Sequence, residues 1–311
     1  MARRTSDRDA TLLEPLDVAI VDIGSNTARL LVALVRADGE IVQLRRERHY
    51  LRLGDDVHEL RRIGPEKLAE AAKVAKRFAR IARRSGVERL ETIVTAPGRQ
   101  AANGDELVGV LSEATGAHVV VLTGEDEGRL AWEGAVARMA DPPEVVAVTD
   151  LGGGSCELAV GTPALGPVWL RSLDAGALRV TNAYLGGNPP ARERVERARA
   201  ELHELLAPFD PPCPDAALVV GGTARAIGRL VGRRYGVAQL EALTEELTTV
   251  PAEIVTAGHG LTADRARTLL GGTLVLAEIA RRLGSELEVG RGGLREGAAL
   301  ALARGRAAAV A

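Results

Sequence analysis

Two stretches of this chain are built alike. "VDIGSNTARLLVALV", from Val21 to Val35, and "TDLGGGSCELAVG", from Thr149 to Gly161, each pass from a strand ending in aspartate, through a Gly/Ser-rich turn, into a returning strand. Each is followed by alternating strand and helix patterns, so the chain is constrained to two related α/β halves, and the similarity suggests duplication. A cleft between two such halves turns the two loops toward each other.

The pattern along the chain fills in both halves. Strands are expected at 18–22 and 29–35, with a third from 40 to about 53. Pro65 opens a helix that runs to about Arg84 and is stopped by Gly86. Strands at 90–95 and 119–122 then alternate with helices at 105–115 and 125–139. The second half repeats this with strands at 145–150, 156–161 and about 168–173, a helix at 191–206, and a strand at 217–220 that runs into "GGTARAIGRL". A long helix over about 263–283 and a last one from about 294 complete it. The division that follows is a flexible tail over 1–16, a first domain over 17–130 and a second over 131–311, whose final helix is free to pack back on the first.

Composition narrows the functional classes. The chain has 311 residues, 46% of them hydrophobic, which is ample for two cores. A net charge of −2 gives no sign of a nucleic-acid or membrane binder, so any polyanion site must be local. Charges or glycines interrupt every apolar run well before the ~20 residues a membrane helix needs. Cys156 and Cys213 are the only cysteines, which argues against a disulfide framework or a cysteine-based zinc site and fits a reducing cytoplasm. The N-terminal "MARRTSDRDATLLEPLD" lacks the apolar segment of a signal peptide. Aromatics are only 2% while Arg and Ala abound, so single arginines carry little information.

Three turns are candidate anion nests: Gly24, Ser25, Asn26 and Thr27; Gly152, Gly153, Gly154 and Ser155; and Gly222 with Thr223, the last at a helix N-terminus. Small residues are needed there because larger side chains would block a phosphate. Singly, each reads equally well as a hairpin or a helix start. Asp22, Asp150 and Glu157 are the natural holders of a Mg²⁺ ion that would neutralise a polyphosphate, and each could instead cap its own turn.

The blocks "VDIGSNTARLLV", "LTGEDEGRL", "TDLGGGSCELAVG", "VVGGTARAIGRL" and "GLREGA" resemble, in order, the signature blocks of the Ppx/GppA family, the exopolyphosphatases and guanosine pentaphosphate phosphohydrolases. The resemblance implies an actin-like, sugar-kinase and Hsp70-type (ribonuclease H-like) fold, with duplicated α/β domains and the active site in the interdomain cleft. It implies that Glu127 is the glutamate that activates water; read from the residues alone, Glu125, Asp126 and Glu127 are a helix start that favours negative charge. It implies that Arg99, in "TAPGRQA", binds the terminal phosphate, although Pro97 and Gly98 depart from the family pattern. Cys156 and Arg267 are further departures. The chain stops soon after "GLREGA", so the extra C-terminal helical domain of long family members is expected to be absent.

The expected function is therefore Mg²⁺-dependent release of terminal orthophosphate from inorganic polyphosphate, with Mn²⁺ as an alternative ion. Guanosine pentaphosphate is the alternative substrate, a homodimer the candidate assembly and the cytoplasm the expected setting. A non-catalytic phosphate sensor and a kinase of the same superfold are the rivals; retention of Glu127 speaks against the sensor. Lys73, Lys76, Arg77, Arg80, Arg83 and Arg84 form one basic helix face, read as a solvated surface or as a landing strip for polyphosphate.

Overall fold

The computed structural model describes residues 14–305. The chain opens with an antiparallel meander, β1 (Leu16–Ile23), β2 (Thr27–Val35) and β3 (Ile41–Tyr50). It continues through α1 (Leu53–Leu60), α2 (Pro65–Arg84), β4 (Arg89–Val94), α3 (Ala96–Gln100), α4 (Gly104–Thr115) and β5 (Val119–Val121). β4 pairs parallel with β1 and β5 with β4, which gives the sheet order β3-β2-β1-β4-β5. β1 reads as an unbroken apolar run because both of its faces are covered. Ala19, Val21 and Ile23 point into a core shared with α2 and α4, while Val18 and Ile20 point into one closed by the C-terminal helix.

After α5 (Gly124–Val136) the second half repeats the plan with β6 (Val146–Leu151), β7 (Cys156–Thr162), β8 (Gly166–Leu173), α6 (Ala177–Tyr184), α7 (Arg192–Leu206), β9 (Ala216–Val220), α8 (Gly222–Val231) and β10 (Arg234–Tyr235). There follow α9 (Val237–Thr249), α10 (Ala252–Val255), α11 (Ala263–Arg267), α12 (Leu269–Leu283), β11 (Leu287–Val289) and α13 (Leu294–Ala303). Its sheet runs β10-β11-β9-β6-β7-β8, with β6, β7 and β8 antiparallel and β6, β9 and β11 parallel. The duplication extends to single bonds. The Gly24 amide donates to the Thr27 carbonyl at 3.0 Å, and at the matching place Gly152 donates to Ser155 at 3.1 Å. Both hairpins also carry an irregularity at matching positions, Val32/Ala33 and Val160/Gly161.

Several elements depart from the sequence expectation. The third strand ends at Tyr50 and the chain turns into α1, while α3, α6, α9 and α10 are further helices not anticipated. The long helix over 263–283 is two helices broken at Thr268. α12 is buried on nearly every side, as a core helix should be, and the break lets α11 turn away so that Arg265 is buried at the cleft. The expected 130/131 division falls inside α5, which packs on β6, β7 and β8. Of the expected tail, residues 1–13 lie outside the described residues, and Leu16 already belongs to β1. Among the described residues no helix is long and apolar enough to cross a membrane.

Candidate active site

The two hairpin turns face each other across a narrow cleft of about 100 Å³. Each turn is held by a short helix. The Ser25 carbonyl accepts the Gly54 N–H at 2.8 Å and the Asn26 carbonyl accepts those of Leu51 and Arg52, all at the start of α1. The Gly152 carbonyl accepts from Ala177, and that of Gly153 from Leu178 and Arg179, at the start of α6. With the carbonyls spent on helix starts, the amides point the other way. Among the described residues, the N–H groups of Ser25, Asn26, Gly153 and Gly154 find no acceptor in the protein, and the Asn26 Oδ1 is buried without a partner. Buried amides of this kind are normally paired, so a set of them lining a cleft is a ready anion nest. Gly222 and Thr223 line the same cleft at the first turn of α8.

Glycine is needed in the second turn for room. A Cβ at Gly154 would stand 2.3 Å from Ser25 Oγ and 2.8 Å from the Ala96 Cβ. The loops could not approach each other with side chains between them.

Glu127 reaches the cleft from the first turn of α5, with 7% of its side chain exposed. Its two acidic neighbours go elsewhere: Glu125 is exposed, and Asp126 forms a capping box with Thr123, whose hydroxyl accepts the Asp126 N–H at 3.0 Å. The Arg99 Nη1 donates to both Glu127 Oε1 and the Leu122 carbonyl. Arg99 does not line the cleft itself; it holds Glu127 from behind and lines a neighbouring cavity.

Asp22 and Asp150 stand at matching points of β1 and β6, but their partners differ. Asp22 pairs in register with Arg29, and Asp150 with Glu157. The duplicated hairpins are thus chemically unequal. Burial raises the pKa of Asp150 to about 6 against the pull of Arg29, and raises that of Asp22 against the pull of Arg295 and Arg29. Burial and the neighbouring Asp150 push the Glu157 carboxyl up, although Ser172 Oγ donates to it at 2.9 Å. Glu127 is pushed well up by burial and by Glu157, against the opposing Arg99. Arg29 is drawn down to about 9 and Arg225 to about 10, each by burial and by Arg295.

Among the described residues no three carboxylate, imidazole or thiol side chains form a cage that could hold a metal by themselves. Asp22, Asp150 and Glu157 line one cleft, yet Asp22 has Arg295 Nε at 3.9 Å. Such a donor set suits Mg²⁺, which keeps waters and takes one or two carboxylates together with phosphate oxygens. Carboxylates made hard to ionise by burial also gain most from a cation.

Sequence reasoning missed the arginines Arg29, Arg225, Arg265 and Arg295, all lining the cleft. Arg265 Nη1 donates to Thr223 Oγ1 at 2.8 Å. Beyond them opens a trough of about 400 Å³ whose walls carry seven arginines and one acidic residue, Glu47. The signal existed for Arg29, which faces Asp22 in any β1–β2 hairpin, but a general excess of arginine hid it. Cys156 lies fully buried in the second core, and Arg267 bridges the halves through Asp55 at 3.0 Å. The basic face of α2 is exposed and does not line the cleft.

A family model described as the Ppx/GppA phosphatase family matches residues 31–304. The chain belongs to the Ppx/GppA phosphatase family. Among Ppx/GppA-related proteins, Exopolyphosphatase 2 of Mycobacterium tuberculosis is 29% identical over 315 residues, spanning 92% of this chain and 98% of that protein. Exopolyphosphatase 1 of Mycobacterium bovis is 30% identical over 301 residues, spanning 90% of this chain and 86% of that protein. A solved structure of the Aquifex aeolicus PPX-GPPA enzyme superposes with a TM-score of 0.78 at 26% identity, covering 93% of this chain and all of that one. The two-sheet α/β architecture is that of Ppx/GppA structures, relatives of the actin-like ATPase superfamily.

Proposed function

We propose that this protein is an exopolyphosphatase, a hydrolase that releases terminal orthophosphate from inorganic polyphosphate. The observation that carries this reading is the pairing of two amide nests with a buried glutamate, Glu127, held by Arg99 in the same cleft. Binding alone would need no such base. In this reading the turns Gly24–Thr27 and Gly152–Ser155, with Gly222 and Thr223, hold the phosphates near the scissile bond, and the trough arginines hold the rest of the chain. Glu127 accepts a proton from water, the water oxygen attacks the terminal phosphorus, and the bond to the bridging oxygen breaks. The products are orthophosphate and a chain shorter by one. Arg99 orients the Glu127 carboxylate from behind, and charge on the transferred group is met by the arginines that line the cleft.

Asp150 and Glu157, with Asp22, would hold Mg²⁺, which when bound neutralises phosphate charge. The free thiols of Cys156 and Cys213 support a reducing, cytoplasmic setting. The test is phosphate release from polyphosphates of several lengths, guanosine pentaphosphate and ATP, with Mg²⁺ and with chelator. Release from polyphosphate that is fastest with Mg²⁺ is expected. Preference for guanosine pentaphosphate would reassign the substrate, and binding without release would make the protein a sensor.

A further inference from the structure

On the far side of the two phosphate turns lies a second cavity, of about 710 Å³. Ser25, Gly153, Gly154 and Leu178 belong to its walls and to those of the catalytic cleft, so only the turns separate the two spaces. The partition is thin because Gly153 and Gly154 bring no side chains. Arg99 spans it, lining the second cavity while its guanidinium holds Glu127 in the first. Gln100, next to it, roofs the Gly154 turn and donates to Asp174 Oδ1 at 2.5 Å, joining the two halves of the molecule by one exposed hydrogen bond. The same wall is fixed by Arg61, the left-handed C-cap of α1 at φ 57°, whose carbonyl accepts the Ala102 N–H at 2.9 Å.

The two openings of the reacting centre differ in charge. The trough presents seven arginines against one acid, whereas the second cavity sets Arg61, Arg99 and Arg179 against Asp174 and Glu201. A long polyanion is retained by the first; a free orthophosphate, with at most a few charges, would be held there too and blocked by the chain already lying in it. The nearly balanced cavity gives a small anion a path without a deep well.

We propose that orthophosphate leaves the reacting centre through this second cavity, passing Arg99 and the Gln100 roof, while the shortened chain remains in the arginine trough. The proposal rests on the exopolyphosphatase reading. The test narrows the cavity with Ala102→Trp and Ala183→Trp, two exposed wall positions, and compares orthophosphate formed in acid-quenched samples with orthophosphate free in solution, read by a fluorescent phosphate-binding sensor. In the double variant, formed phosphate should run ahead of free phosphate by about one per site, kcat should fall at least about fivefold, and KM for long polyphosphate should fall with it so that kcat/KM does not change. Leu261→Trp, in the trough wall, should do the reverse, raising KM with no lag. Equal time courses for formed and free phosphate in the double variant, or a raised KM there, overturn the exit. Arg179→Glu gives a second reading that needs no added bulk: inhibition by added phosphate should weaken at least about threefold, and unchanged inhibition counts against the proposal. Absence of any phosphate in quenched samples of the unsubstituted protein overturns the exopolyphosphatase reading itself, and the exit with it.

Discussion

Three consecutive acids, Glu125, Asp126 and Glu127, have three different surroundings because successive residues of a helix point about 100° apart. One faces solvent, one caps the helix and one enters the cleft. Glu127→Gln keeps size and hydrogen bonding but cannot take a proton, so turnover should fall by about two orders of magnitude or more with polyphosphate affinity equal or better; steady-state rates and equilibrium binding measure both. A loss under tenfold would remove Glu127 from the role of base. Asp150→Asn should raise the Mg²⁺ concentration for half activity severalfold, and an unaltered titration would reduce Asp150 to a turn residue. The same substitution has a thermal signature. The folded pKa of Asp150 is raised to about 6 from 3.8, so its contribution to stability is present at low pH and lost as pH rises through about 6. In chelator, the unsubstituted protein should therefore lose more Tm between pH 5 and pH 7 than Asp150→Asn does, and parallel curves would contradict this.

At the scale of elements, the decisive pieces are small. α1 and α6 hold the two glycine-rich turns through their carbonyls, and α6 meets its turn at van der Waals limits: a Cβ at Gly176 would stand 2.3 Å from the Gly153 carbonyl. Gly176→Ala must therefore push the turn, with a stability cost of about 1–3 kcal/mol. The catalytic loss should exceed that, with kcat/KM down at least about tenfold because displaced amides no longer converge on one phosphate. Unchanged kinetics in a folded variant would show that the turn is set elsewhere. α5 and α13 illustrate the same intolerance, since a Cβ at Gly297 would lie 1.9 Å from the Leu130 carbonyl oxygen. Gly297, the second glycine of the "GLREGA" block, is thus a packing residue, next to the buried Glu296, which accepts from Arg46 at 2.8 Å. Sequence pattern found α2 to the residue because Pro65 and Gly86 punctuate a long amphipathic run. It missed α1, α3 and α6, which at eight, five and eight residues are too short for a period to declare itself, and also the thirteen-residue α9.

For the whole molecule, what spans the two halves on the cleft side is polar and partly exposed. Arg267 and Asn182 both bind Asp55, at 3.0 and 2.8 Å, Arg52 pairs with Asp264, and Tyr50 meets Thr262 at 2.9 Å. Surface pairs of this kind contribute about 0–1 kcal/mol each, so they position the halves more than they stabilise them. Asp55→Ala removes two of these contacts at once. It should raise KM for polyphosphate severalfold while shifting Tm by only a few degrees, measured by steady-state kinetics and calorimetry; an unchanged KM would show that the halves are fixed by α5 and α13 alone.

The sequence by itself determined the two hairpins, the apolar strands behind them and the glycines and carboxylates at their tips, because these rest on local backbone freedom and short-range alternation; Glu127 was singled out as the proposed base by family resemblance. Tertiary structure decided which charges share the space. Arg29, Arg225, Arg265 and Arg295 come from β2, α8, α11 and α13, far apart in the chain, and nothing local separates them from the many arginines on the surface. It also decided that Arg99 supports Glu127 from behind, since that follows from α3 and α5 meeting at one end of the first sheet. Whether a charge is solvated or buried beside another depends on what folds against it.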